Sequence, residues 1–226
     1  MKKTLSLFIT GLCAIVLGLS SCKDKKPINP ENEGIDDFMP TNTANWWLYE
    51  ASDGTVFKRY YTGRDTVIDG FSYNYYEQVD VNTGTIVKEF YGKFEGNYYT
   101  LLKVNDEGTT LVQAKVLNGD PKVGDTWTNE GQFTYGTIEF FAKVDGKVVS
   151  TTDTATVNGQ LVTDIVRVES QLYARLPFDS WVDCGTVEMK LKKGLGIISE
   201  HYDFHVMNFV DKTYSNWLLD HHITQQ

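Results

Sequence analysis

Eight short turn signals punctuate this chain, and they constrain its fold more than any other feature. They are Asp53-Gly54, Asp69-Gly70, Asn82-Thr83-Gly84, Glu95-Gly96-Asn97, Glu107-Gly108, Asn118-Gly119, Asp145-Gly146 and Asn158-Gly159. Asp-Gly and Asn-Gly tolerate the positive φ angles that tight hairpins require. Most lie roughly 8 to 16 residues apart, the rhythm of antiparallel strands joined in sequence. Between them the chain is rich in β-branched and aromatic residues, and in places it alternates with period two. Ile138, Phe140, Ala142 and Val144 fall on one face of such a strand. Val187, Met189 and Leu191 alternate with Glu188, Lys190 and Lys192. Alternation of this kind puts one face on a core and the other in water.

No stretch carries a sustained 3.6-residue apolar stripe. The best helix candidates are short: Thr41 to Tyr49, Glu169 to Leu176 and Tyr214 to His222. A βαβ rhythm is absent, which argues against a doubly wound sheet. The pattern predicts an all-β domain with minor helix, an antiparallel meander forming a closed barrel or a strongly curved half-barrel.

The N-terminus has a different logic. Lys2 and Lys3 precede an apolar run of fifteen residues, Leu5 to Leu19, which ends in Ser20-Ser21-Cys22. A spanning helix needs about 20 apolar residues, so this run is too short to cross a bilayer, and its flanks fit a signal peptide. The arrangement resembles a bacterial lipoprotein signal. That resemblance implies cleavage after Ser21 and a diacylglyceryl group on the Cys22 sulfur, often with a third chain on its amine. More than one acyl chain is what stable anchoring requires. Lys23 to Pro40 holds three of the five prolines among lysines and acids, a composition that stays extended and cannot bury a core. The expected organisation is a signal over residues 1–21, a disordered tether over 22–40 and one β domain over 41–226.

Charge and cysteine usage narrow the function classes. The formal charge is −9, and loss of Lys2 and Lys3 with the signal would make it −11. Such a surface repels nucleic-acid phosphates. Of three cysteines, Cys13 lies in the signal and Cys22 is the expected lipid acceptor. Cys184 is then alone, without an internal disulfide partner. It reads as a small buried hydrophobe rather than a reactive thiol.

Three further stretches carry a broader likeness: Asp164-Ile-Val-Arg-Val-Glu169, Trp181-Val-Asp-Cys-Gly-Thr-Val187 and Lys193-Gly-Leu-Gly-Ile-Ile198. With the early aromatic run Asn45-Trp-Trp-Leu-Tyr49 and with Gly124-Asp-Thr-Trp127, the chain is similar to uncharacterised outer-membrane lipoproteins of Bacteroides-type bacteria. The resemblance implies a lipocalin-like or lipoprotein-carrier-like β domain and carries almost no chemistry. In those proteins an acidic run after the cysteine goes with surface export. Here the run is Lys23-Asp24-Lys25-Lys26, so periplasm-facing and surface positions both stay open.

No catalytic constellation stands out, and no cofactor is implied. Lys193-Gly194-Leu195-Gly196 lacks the third glycine and the following helix of a dinucleotide loop, and reads as a bulge or close backbone contact. His201, Asp203 and His205 would share a strand face, where only neighbours two apart could share a metal; the reading adopted is a solvated face without metal. His221-His222 reads as a surface pair.

Aromatic density is the remaining signal. Fifteen aromatics lie between Trp46 and Tyr99, about twice the overall 13%. The adjacent pairs Tyr60-Tyr61, Tyr75-Tyr76 and Tyr98-Tyr99 put one ring on each face of a strand. Tyrosine can stack on sugars or line an apolar pocket, and cross-strand aromatic pairs also stabilise sheets by themselves. The six tyrosines are therefore the candidate ligand-binding residues. The expected function is a non-catalytic binding module for an apolar or carbohydrate ligand, tethered to the outer membrane by lipid. The alternative is a structural lipoprotein that docks on another envelope protein.

Overall fold

A computed structural model describes residues 37–103, 111–135, 137–206 and 210–224. Twelve strands form one antiparallel sheet: β1 (Trp46–Ala51), β2 (Val56–Ile68), β3 (Phe71–Asp80), β4 (Ile86–Phe94), β5 (Asn97–Lys103), β6 (Leu111–Leu117), β7 (Thr126–Tyr135), β8 (Ile138–Val157), β9 (Gln160–Arg175), β10 (Val182–Lys192), β11 (Gly196–Val206) and β12 (Val210–His222). The described residues contain no helix. All three helix candidates are strand or turn instead. Their apolar residues alternate with period two, as Trp47, Tyr49 and Ala51 do on the buried face of β1.

The order is a meander in which β1 closes onto β12, so the sheet runs β6-β5-β4-β3-β2-β1-β12-β11-β10-β9-β8-β7. Strands β6 and β7 are its two edges, and they meet without a backbone ladder. Side chains bridge them instead. Asn129 Oδ1 accepts the Lys115 amide at 2.9 Å, and Trp127 Nε1 donates to the Lys115 carbonyl at 2.9 Å. Both backbone groups of an edge residue are thereby satisfied, which blunts the strand edge. The result is a nearly closed barrel. Trp127 reaches the seam because its cross-strand partner is Gly146, whose missing side chain leaves the space that the indole occupies.

An eight-stranded barrel is just filled by its own side chains, and wider barrels leave a lumen. Twelve strands therefore need extra filling. Large inward aromatics supply part of it: Trp47, Tyr49, Phe57, Tyr76, Tyr91 and Tyr98 all belong to the buried core. Two insertions at one end supply the rest. The β8–β9 hairpin shifts register three times between Val148 and Ala155. Val157 and Ile165 join the core there, and Asn158 Nδ2 donates to Asp220 Oδ1 of β12 at 3.0 Å. The second insertion is Asp37–Pro40. These residues were expected to belong to the tether, yet all four are buried. The apolar pair Phe38-Met39 has a core to enter at the barrel end, which composition averaged over eighteen residues does not reveal.

Candidate functional site

The barrel interior holds a charge cluster that alternation alone does not predict. Arg59 of β2 faces inward at 3% exposure. Its Nε lies 2.7 Å from Glu89 Oε2 of β4, and its Nη2 lies 3.3 Å from Glu200 Oε2 of β11. Nη2 also donates to Gln78 Oε1 at 3.3 Å, and Asn216 Nδ2 of β12 donates to Glu200 Oε2 at 2.9 Å. The guanidinium sits 4.7 Å from the Tyr49 ring centroid. Six strands (β1 to β4, β11 and β12) are thus braced across the lumen. Two carboxylates against one guanidinium leave excess negative charge. Burial pushes the Glu89 carboxyl above its ordinary range, with Arg59 opposing and Glu200 adding to the rise. Burial also raises the phenols of Tyr49, Tyr76, Tyr91 and Tyr202, which stay neutral.

Little room remains beside this cluster. The cavity walled by Met39, Pro40, Trp47, Arg59, Tyr76 and Tyr91 measures about 10 Å³. That is about the volume of one water-sized probe, against about 300–1,000 Å³ for ligand pockets. The interior region of the first-half aromatics is filled.

A larger depression lies outside. A groove of about 580 Å³ runs along β7 and β8, lined by Thr126, Thr128, Glu130, Lys143, Asp145 and Trp181 among others. Trp181 comes from the β9–β10 turn and leans over two cations of the neighbouring strands. Arg175 lies 4.7 Å from its ring centroid and Lys143 lies 5.6 Å away. Lys143 also sits 4.1 Å over the Tyr173 ring, and Arg175 4.7 Å from that of Phe141. Asp145 accepts from Thr128 Oγ1 at 2.7 Å and pairs with Lys143 Nζ at 2.9 Å. Burial works against the Asp145 charge, but Lys143 and Thr128 hold its carboxyl below the usual range. The groove offers an indole, hydroxyls, carboxylates and an ammonium, which suits a polyhydroxylated ligand better than an apolar one.

The six tyrosines singled out by sequence divide between the two faces. Tyr76 and Tyr98 are core residues, and Tyr61 packs against that core. The Tyr61 phenol is pushed up to about 12 by burial and by Asp65, to which it donates at 3.0 Å. Tyr60, Tyr75 and Tyr99 lie on the opposite face, half-buried. There the Tyr60 and Tyr75 hydroxyls both donate to Glu77, at 2.5 and 3.1 Å, and Tyr75 stacks on Phe90. None of the six lines the outer groove. Sequence reasoning passed over Trp181, Lys143 and Asp145, because they meet only when the β9–β10 turn folds over β8. Cys22 lies outside the described residues.

The remaining candidates have local partners. His201 Nδ1 is 2.6 Å from Ser215 Oγ, Asp203 accepts from Thr213 at 3.1 Å, and His205 Nε2 is 3.4 Å from Asp183. Among the described residues no group of three or more His, Cys, Asp or Glu is placed to hold a metal ion. Cys184 is buried at a bulge where β10 slips against β9, and burial raises its thiol. The Lys193–Gly196 motif makes the close backbone contacts expected of it. Gly194 N donates to the Asp37 carbonyl at 2.8 Å, the Leu195 carbonyl accepts from Trp47 Nε1, and Gly196 leaves space for the Trp47 ring and Pro40.

No family model matches the chain, and no curated protein matches it. Solved structures resemble it, two of them from related bacterial sources. One is a presumed lipoprotein from Parabacteroides distasonis ATCC 8503, 13% identical, with a TM-score of 0.52 over 83% of this chain and 99% of that one. The other is a presumed exported protein with a YmcC-like fold from Bacteroides fragilis NCTC 9343, 11% identical, with a TM-score of 0.43 over the same shares, 83% and 99%. The first likeness concerns the fold: an antiparallel barrel of this kind recurs across nearly the whole length of that protein.

Proposed function

We propose that this protein is a non-catalytic carbohydrate-binding lipoprotein of the bacterial envelope, tethered to the outer membrane through Cys22. The observation that carries the binding reading is the contrast between a filled interior and an open outer groove beside Trp181. An apolar ligand of lipocalin type needs a lumen, and about 10 Å³ beside Arg59 provides none. A sugar needs an aromatic platform with hydrogen-bonding groups around it. Trp181, Thr128, Glu130 and Asp145 offer both. The lipid tether rests on the signal that ends at Cys22, and the name of the similar Parabacteroides protein, a lipoprotein, agrees with an envelope location.

The test is calorimetric titration of the full chain with a panel of soluble oligosaccharides. At least one should bind saturably, and Trp181→Ala should weaken it tenfold or more while melting is unchanged. Binding that survives Trp181→Ala, or no binding across the panel, contradicts the reading. The alternative of docking on another envelope protein draws on a separate observation. The outer faces of β1 to β4 carry Trp46, Tyr60, Tyr75 and Phe90, all half-buried.

A further inference from the structure

The Asp37–Pro40 strap is held as a bound peptide is held. The Asp37 carboxylate pairs with Lys93 Nζ of β4 at 2.8 Å, and its carbonyl accepts the Gly194 amide at 2.8 Å. The Phe38 ring meets the Tyr98 ring edge-on at 5.6 Å. Tyr76 Oη lies within hydrogen-bond reach of the Met39 and Pro40 carbonyls, at 3.3 and 3.2 Å. Each gripping group belongs to the barrel, and they come from β3, β4, β5 and the β10–β11 turn. Side-chain pockets with backbone-directed hydrogen bonds are how short extended peptides are recognised.

Two observations separate the strap from the barrel that holds it. It contributes no strand to the sheet, whose twelve strands pair without it. The wall beside it is stapled independently, by Trp47 Nε1 to the Leu195 carbonyl at 2.5 Å and Tyr49 Oη to the Ile197 carbonyl at 2.8 Å. Beneath the strap the fit is incomplete. Arg59 Nη1 is buried, has no hydrogen-bond partner among the described residues, and belongs to a side chain that walls the small cavity under Met39 and Pro40. A buried donor left unmatched is costly, so an occupant with an oxygen at that depth would complete the site.

We propose that this barrel mouth is a recognition site for a short, extended, acidic–apolar peptide, occupied in cis by Asp37–Pro40. A partner segment of the same chemistry competes with the strap: a carboxylate for Lys93, an aromatic ring for Tyr98, carbonyls for Tyr76 and Gly194, and an acceptor for Arg59. Because the strap is covalently attached, its effective concentration is high. A peptide in trans binds well only when the strap is released.

The test uses the full chain with a protease site placed in the exposed turn at Thr43-Ala44, cut in the native state. A second full-chain variant, Phe38→Gly with Met39→Gly, empties the grip without cutting. The probe is a fluorescein-labelled peptide with the sequence of residues 35–41, followed by anisotropy. It should bind the cut chain or the glycine variant saturably, at least tenfold more tightly than the intact chain. Lys93→Glu should weaken that binding tenfold or more, and a peptide with lysine in place of Asp37 should restore it. The proposal is overturned if the peptide binds neither form, if Lys93→Glu has no effect, or if the glycine variant fails to fold, which would mean that the barrel cannot stand without the strap.

Discussion

Arg59→Met is the most searching perturbation of the barrel interior. The substitution keeps an unbranched apolar side chain over Tyr49 and removes the cation that Glu89 and Glu200 share. Breaking a buried ion pair by removing one partner costs about 3–5 kcal/mol, because an uncompensated charge stays behind. Here two carboxylates stay behind, so the upper part of that range is expected at about pH 8. In a chain of this size about 1 kcal/mol shifts melting by about 2–4 °C, so a loss of about 4–5 kcal/mol should lower Tm by about 8–20 °C. The pH dependence is the stronger signature. Arg59 is what opposes the burial-driven rise of Glu89, so without it that carboxyl rises further, and its protonation removes the repulsion. The deficit should therefore shrink as the pH falls through the raised Glu89 value, and be smaller at about pH 5 than at about pH 8. Urea unfolding at the two pH values measures it. A loss below about 1 kcal/mol, the scale of an ordinary point mutation, or an equal loss at both pH values, would refute the argument.

Three further outcomes follow from named contacts. Burial already raises Glu89 above its ordinary value in the intact protein. A raised carboxyl makes stability fall as pH climbs from the unfolded value through the folded one, so Glu89→Gln should flatten that decline and be at least as stable as the parent at about pH 8; a clear loss there in urea unfolding would contradict it. A methyl at Gly146 would meet the Trp127 ring at 2.3 Å, so Gly146→Ala should cost about 1–3 kcal/mol by overpacking and shift the tryptophan emission as the β6–β7 seam loosens; an unchanged melt and spectrum would contradict the seam. Cys22→Ala should leave the protein unprocessed or release it from membranes on fractionation, and recovery in membranes at its mature mass would rule out lipidation there.

Much of the fold is legible in the turn residues. Asp53-Gly54, Asp69-Gly70, Asn82-Thr83-Gly84, Glu95-Gly96 and Asn158-Gly159 all join consecutive strands, and each has at least one residue at positive φ. Asp145-Gly146 has the same letters but sits inside β8, where Gly146 exists to admit the Trp127 ring; no local signal separates that use from a turn. Glu107-Gly108 lies outside the described residues. The inward charges are illegible for another reason. Alternation predicts an apolar residue at the inward position of Arg59, and its partner Glu200 is 141 residues away. The strap was hidden by its polar, proline-rich surroundings, although Phe38-Met39 is the apolar signal that marks it. Trp181 follows Pro177 and Phe178 in a turn, where no periodicity says which face a side chain will cover.

The interior beside Arg59 is filled, and the proposed carbohydrate site lies outside the barrel wall. The five tryptophans (Trp46, Trp47, Trp127, Trp181 and Trp217) are natural reporters of that division. Trp47 is buried beside Arg59 and the strap, whereas Trp181 walls the outer groove. Nitrogen-15 indole resonances of the full chain, assigned by single Trp→Phe variants and followed through titration with a binding oligosaccharide, test it directly. The account predicts that the Trp181 resonance moves saturably while that of Trp47 stays in place. Movement of Trp47 with a stationary Trp181 would place the ligand inside the barrel and contradict it.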